Sequence, residues 1–294
     1  MTRNKERKAA SLTTPKVSQP DLPMLGQPGA GYFALNELKQ LNSGYYHDSV
    51  HALEVSNLVC ALAHACGRDP ARAEFLKQVA LIHDADPRTC PTTGEAREGT
   101  PARVQVTLCW MDQEHDRLQQ RFDWTETQFK EAQALIARTD FPFDENPRNL
   151  GTRFDGMSPV EVYRLSLAQL PEACRAGCML DALLLRFSDQ IAAYLGTFQR
   201  ARKSVRDLVD ELNNTGLSLN FQTIFDQTPH FLNQVGRDLK HDEVLKSELG
   251  LHRLDLPQRT DLVALLGWKR RLKLTRNLLQ FKFGADRAPL KRKA

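Results

Sequence analysis

The sequence predicts an all-α fold: one helical domain with a flexible basic leader and a basic C-terminal helix and tail. Three observations predict it. Apolar residues recur at i, i+3, i+4 and i+7 through the body of the chain, the spacing of a helix face. No stretch alternates apolar and polar residues with β-branched enrichment, as a half-buried strand would. Asp69-Pro70 and Ser158-Pro159 each place a capping side chain before a proline, whose fixed φ and missing N–H suit the first helical turn. The expected division is a leader over 1–31, one domain over 32–258 and a basic segment over 259–294. No internal repeat is visible.

Taken in order, Pro15, Pro20, Pro23, Pro28 and Gly29-Ala30-Gly31 mark the leader, which lacks the apolar stretch of a secretory signal. A helix is expected over 33–41, closed by Asn42-Ser43-Gly44. Asp48 or Ser49 caps the next, whose Val50, Leu53, Val55, Leu58, Val59 and Leu62 run to Cys66-Gly67. The helix opened by Asp69-Pro70 carries Phe75, Leu76, Val79, Leu81 and Ile82, and ends at His83-Asp84. Residues 85–101 read as a long loop of prolines, glycines and threonines, a kind rare inside a domain unless functional. Helices resume over 102–121, over 124–139 capped by Asp123 or Thr125, and over 158–170 behind the capping box Ser158…Glu161. A long helix is expected over 175–212, broken at 213–216, with further helices over 219–234 and 258–281.

Apolar residues at 41% and charged residues at 26% are the balance of a globular chain with a sizeable core. No apolar run reaches the roughly 18–20 residues that cross a bilayer. The six cysteines contain no CxxC pair, which argues against a thiolate zinc site or a disulfide scaffold and for a reducing, cytoplasmic compartment. The net charge of +4 is uneven. Residues 1–30 carry +3 and residues 267–294 carry +9, leaving the body at −8. That distribution excludes a uniformly basic nucleic-acid-binding surface.

His47 and His51, four residues apart, share a helix face. His83-Asp84 sets an imidazole beside a carboxylate at the end of an apolar run. Asp189 lies within Leu183-Leu184-Leu185-Arg186-Phe187-Ser188-Asp189-Gln190-Ile191. A carboxylate there is on a solvent stripe, or else paired, hydrated in a cavity, or on a metal, because a lone buried charge is costly. A mixed set of imidazoles and carboxylates suits iron, zinc or manganese without selecting one.

The order H…HD…D resembles the HD superfamily of metal-dependent phosphohydrolases. Tyr46-His47-Asp48-Ser49-Val50-His51-Ala52-Leu53-Glu54-Val55 is similar to the YHNxxHAxDV signature of the class I cyclic nucleotide phosphodiesterases, with Asp48 for Asn and Glu54 for Asp. Met111-Asp112-Gln113-Glu114-His115 resembles that family's LENHH, Thr139-Asp140 its ATD, and Gln222…Phe225 its base-holding pair. The resemblance implies that His51, His83, Asp84 and Asp189 hold a first metal, with Asp84 bridging to a second, magnesium or manganese. It implies His47 as general acid, Asp112, His115 and Thr139 near the second metal, and Gln222 and Phe225 on the substrate. Two departures stand out: Pro87 replaces the histidine of HDxDHPG, and Gln190-Ile191 replaces the Asn-Pro after the last metal Asp.

The chemistry is coherent. A phosphodiester is anionic and resists water; a dication polarises it and brings a bound water toward pKa ~7. The leaving alkoxide needs a proton, which a histidine near neutral pKa can supply. The expected activity is therefore metal-dependent hydrolysis of a cyclic nucleotide. The alternatives are an HD phosphohydrolase acting on a nucleoside phosphate or an oligonucleotide-type messenger, and a non-catalytic nucleotide sensor. The basic segment around Lys269-Arg270-Arg271-Leu272-Lys273 reads as an amphipathic helix that docks on the acidic body or contacts nucleic acid or an anionic membrane.

Overall fold

A helical hairpin sets the geometry of everything else. Helix α1 (Ser49–Ala65) and helix α2 (Pro70–Ile82) are joined by a turn in which Arg68 N donates to Ala63 O and Gly67 N to His64 O. This pair of bonds satisfies the last carbonyls of α1 and requires a left-handed residue, which Gly67 supplies at φ +74°. Asp48 caps α1 by accepting from His51 N, and Asp69 caps α2 by accepting from Arg72 N. The two helices run antiparallel, so the start of α1 lies beside the end of α2.

The computed structural model describes residues 38–39, 42, 44–86, 103–149, 151–214, 217–238, 266 and 268–283. The leader, most of the helix expected over 33–41, the loop beyond Asp86 with Pro87, the opening of the helix expected over 258–281, and the tail lie outside these residues. Among the described residues there are ten α-helices, one 3-10 turn and no strand, an all-α fold.

After the hairpin come α3 (Arg103–Gln113), α4 (His115–Phe122), α5 (Glu126–Ala137) and α6 (Pro159–Ala168). Then follow α7 (Glu172–Ile191), a 3-10 turn (Ala192–Tyr194), α8 (Phe198–Asn213), α9 (Phe221–Asp238) and α10 (Trp268–Phe283). The expected capping box of Ser158 with Glu161 forms, and Thr125 caps its helix in a second box with Gln128.

Two expected helices are each divided. The one over 102–121 breaks at Glu114, whose backbone (φ −100°, ψ 16°) leaves the helix without a side-chain cap. The one over 175–212 starts earlier, at Glu172, and stops at Ile191. A new helix begins when Thr197 accepts from Arg200 N. The Gly196-Thr197 start signal lies inside continuous apolar periodicity, which hides it from a reading by period alone.

The core is one cluster in which α1 packs on α2 and α7, and α5 on α6 and α7. A partly buried ionic network crosses it. Arg72 forms two bonds of 2.7 Å to Glu131 and one of 2.6 Å to Asp181, which also accepts from Arg68 at 2.8 Å. It joins α2, α5 and α7 at the end of the hairpin away from His83. Helix α10 packs on α8, α9 and the 3-10 turn through Leu274, Asn277 and Phe281. The Asn277 amide donates to Tyr194 O at 2.7 Å and Gly196 O at 3.2 Å.

Candidate metal centre

The hairpin puts His51, in the first turn of α1, beside His83, the residue that ends α2; their ring centroids are 5.5 Å apart. Helix α7 packs against α1 and brings Asp189 to the same point from its last turn. Three helix ends thus converge on one buried group.

The ligand atoms of His51, His83, Asp84 and Asp189 all lie within 4.8 Å of one another. Asp189 Oδ1 is 3.0 Å from His51 Nε2 and 3.3 Å from His83 Nε2. Asp84 Oδ2 is 3.0 Å from His83 Nε2 and 3.5 Å from His51 Nε2. Ligands about 2.1 Å from one ion stand about 3.0 Å apart at right angles and about 3.4 Å apart at tetrahedral angles. The four separations are those of a coordination shell.

Two further observations test the fit of a cation. His83 Nδ1 lies 2.7 Å from Ala80 O; it donates there, so that the neutral ring has its lone pair on Nε2, toward the cluster, the usual arrangement of a metal-binding histidine. Asp84 Oδ2 is buried and accepts no hydrogen bond, although three imidazole nitrogens surround it. An anionic oxygen left so is expensive unless a cation completes it. The residues fit a divalent metal.

The charges of the cluster hold one another. Burial pushes the Asp84 carboxyl up, but the His83, His47 and His51 imidazoles outweigh it and keep it well below the usual carboxylate range. Burial pushes Asp189 up too, and hydrogen bonds from His51 and His83 bring it below its ordinary value. His83 is the counterpart: burial alone would lower it, and the Asp84 charge with a hydrogen bond to Asp189 raises it well above normal.

His47 stands at the edge of this group, its Nε2 3.9 Å from Asp84 Oδ2. Its other nitrogen, Nδ1, is 2.6 Å from Glu211 Oε1 on α8. The second oxygen of Glu211 accepts from the backbone N–H groups of Tyr46 and His47 at 2.9 and 3.2 Å. One carboxylate therefore fixes the ring and the backbone that carries it. The Tyr46 ring, 4.8 Å from those of both His47 and His51, walls this side. Glu211 is absent from the sequence expectations. In Leu208-Val209-Asp210-Glu211-Leu212 nothing separates it from a solvent-facing acid.

The remaining expected residues make contacts of their own. Thr139 is buried and its hydroxyl donates to Ile136 O. Asp112 accepts from Gln133 and pairs with Arg153. His115 lies between Asp116 and Glu126 at the surface, where those two acids raise its pKa. Among the described residues no hydrogen bond or ion pair joins Asp112, His115 or Thr139 to the four-residue cluster. Phe225 is a core residue packed on Phe198, Phe221 and Phe281, whereas Gln222 is exposed and donates to Asp226. The two do not share a face. Glu54, a departure from the resembling signature, pairs with Arg200 through bonds of 3.0 and 2.9 Å and ties α1 to α8.

No protein-family model, curated protein or solved structure matches this chain.

Proposed function

We propose that this chain is a metal-dependent phosphohydrolase of the HD type, with a phosphodiester of nucleotide character as its substrate and a cyclic nucleotide as the first candidate. The observation that carries this reading is the convergence of His51, His83, Asp84 and Asp189 with a fifth group, His47, whose reactive nitrogen faces them. A structural ion needs only the four. The additional imidazole, oriented from behind by Glu211, is what a reaction that expels an alkoxide requires.

His51, His83, Asp84 and Asp189 would hold the divalent ion, which supplies a Lewis acid for the phosphoryl oxygens and lowers the pKa of the attacking water. Asp84 and Asp189 bring two negative charges that balance the ion. Glu211 accepts the Nδ1 proton of His47, so the proton available for transfer is the one on Nε2. Water adds to phosphorus, the ester P–O bond breaks, and the leaving oxygen takes that Nε2 proton. The proton the water sheds passes to solvent, from which His47 is reprotonated for the next turnover. Tyr46 keeps bulk water from the back of both rings.

One observation favours a second reading, a phosphohydrolase acting on a nucleoside phosphate or an oligonucleotide-type messenger. The pair expected to hold a base, Gln222 and Phe225, is divided between solvent and core, so recognition of a cyclic nucleotide would use other contacts.

The test is hydrolysis by the full chain with manganese, iron or zinc of 3',5'-cyclic nucleotides, nucleoside phosphates, linear dinucleotides and bis(p-nitrophenyl) phosphate. The proposal expects phosphodiester turnover that Asp84→Asn abolishes. Turnover confined to nucleoside phosphates would favour the second reading. Inactivity on all four classes by a metal-loaded protein would end both.

A further inference from the structure

The outer face of α10 combines exposed apolar side chains with cations. The inner face is fixed by Leu274, Asn277 and Phe281, the last with its ring 4.8 Å from Phe225 and 5.0 Å from Phe198. At 100° per residue, Leu272, Leu279 and Phe283 then point directly away from the body. They are 60%, 52% and 67% exposed. Beside this apolar ridge stand the exposed cations Arg271, Lys273, Arg276 and Lys282, the last with its ammonium 5.2 Å from the Phe283 ring centroid. The helix contains no acidic residue.

We infer that this face is a membrane-surface contact that lays α10 on an anionic phospholipid bilayer. A helix in the interface buries an apolar stripe at the boundary of headgroups and acyl chains while flanking cations meet lipid phosphates, and it needs both features together. The alternatives use only one. A nucleic-acid phosphate backbone is met by cations and gains nothing from three large apolar side chains held in water. A second copy of α10 would cover the ridge but set two wholly cationic faces together, with no acid on either helix to pair them. Among the described residues no helix is long and apolar enough to cross a membrane, so the contact is peripheral. The inference is independent of the hydrolytic reading, because α10 contributes no side chain to the imidazole–carboxylate cluster.

The experiment is co-sedimentation of the full chain with vesicles of phosphatidylcholine alone and of phosphatidylcholine mixed with phosphatidylglycerol. Binding is expected to the mixed vesicles, at least about tenfold weaker to the neutral ones, and to fall as salt is raised. Leu272→Gln with Leu279→Gln and Phe283→Gln should keep the melting temperature, since all three side chains are exposed, and lose about tenfold or more in binding. Lys273→Gln with Arg276→Gln should cost about fivefold per charge. Failure of the wild-type chain to bind mixed vesicles overturns the inference. So does binding that the apolar triple variant leaves intact. Tight binding to duplex RNA or DNA that depends on the cations alone would assign the face to nucleic acid. A dimer that the triple variant dissolves, without vesicle binding, would assign it to self-association.

Discussion

His47 is tied by one nitrogen to a carboxylate outside the cluster and turns the other toward Asp84. Its Nδ1 lies 2.6 Å from Glu211 Oε1 and its Nε2 3.9 Å from Asp84 Oδ2. His47→Ala is therefore expected to keep the metal and lose roughly 10²–10⁴-fold in turnover, the usual worth of a general acid. The loss should shrink on a p-nitrophenyl ester, whose leaving group hardly needs a proton. Glu211→Gln should fall in the same direction by a smaller factor and shift the pH–rate profile, because the ring loses its anionic partner. An equal loss on both esters would make His47 a binding residue. The cluster also predicts a pH dependence. His83 has a raised pKa in the fold, so its contribution to the stability of the metal-free protein is complete below about pH 6.5 and is lost as pH rises through the folded value. A metal requires the neutral imidazole. Metal affinity measured by titration should accordingly rise with pH over the interval in which that stability is lost, by up to about tenfold per pH unit for each proton released. An affinity independent of pH there would remove His83 from the ligand set.

The helices meet at the cluster because of their ends, and the network at the opposite end of the hairpin keeps them in register. Partly buried Arg72 and Arg68 with buried Glu131 and Asp181 lock α2, α5 and α7. Asp181→Ala leaves Arg68 without a carboxylate and Arg72 with Glu131 alone, and should destabilise the fold by about 2–3 kcal/mol in denaturant titration, the worth of hydrogen bonds to a charged group. A loss within experimental error would show that water reaches the network. Phe225→Ala should likewise lower stability, by about 3–5 kcal/mol for a core phenyl ring, while leaving KM for nucleotides unchanged. At this scale the sequence was informative where a helix announces itself by chemistry. Asp48, Asp69, Thr125 and Ser158 cap as their types suggest, and Cys66-Gly67 turns where expected. It was uninformative where periodicity ran on through a break, at Glu114 and at Gly196. The grouping of His51, His83, Asp84 and Asp189 is expected from the resemblance of their order, H…HD…D, to the HD superfamily, whereas Asp189 stands inside one expected helix over 175–212 and only the break at Ile191 puts it at a helix end. Glu211 could not be anticipated, since only the packing of α8 against the start of α1 distinguishes it from the other acids of its helix. Gln222 and Phe225 show the converse: three-residue spacing alone does not decide which side chain the core takes.

Across the whole molecule, charge and burial divide the labour. The body carries the negative charge and the buried cluster, while the C-terminal segment carries the positive charge on a helix docked by its apolar face. Closing four ligands contributed by three helices around an ion should stabilise the entire fold, because the unfolded chain offers no such site. At a hundredfold excess of metal over its dissociation constant the gain is about 2.7 kcal/mol. Thermal unfolding with and without a chelator should show it in the wild-type chain and not in Asp84→Asn. A chelator without effect on the wild-type melting temperature would mean that the four residues do not bind a metal tightly enough to matter.

The most direct measurement is elemental analysis of the full chain, purified without chelator and reconstituted in turn with manganese, iron and zinc, beside a variant carrying both Asp84→Asn and Asp189→Asn. The prediction is a stoichiometric ion in the wild-type chain and none in the variant, with both giving the same helical circular dichroism. A wild-type chain that takes up no ion, or a folded variant that retains one, would contradict the assignment of His51, His83, Asp84 and Asp189 as a metal centre.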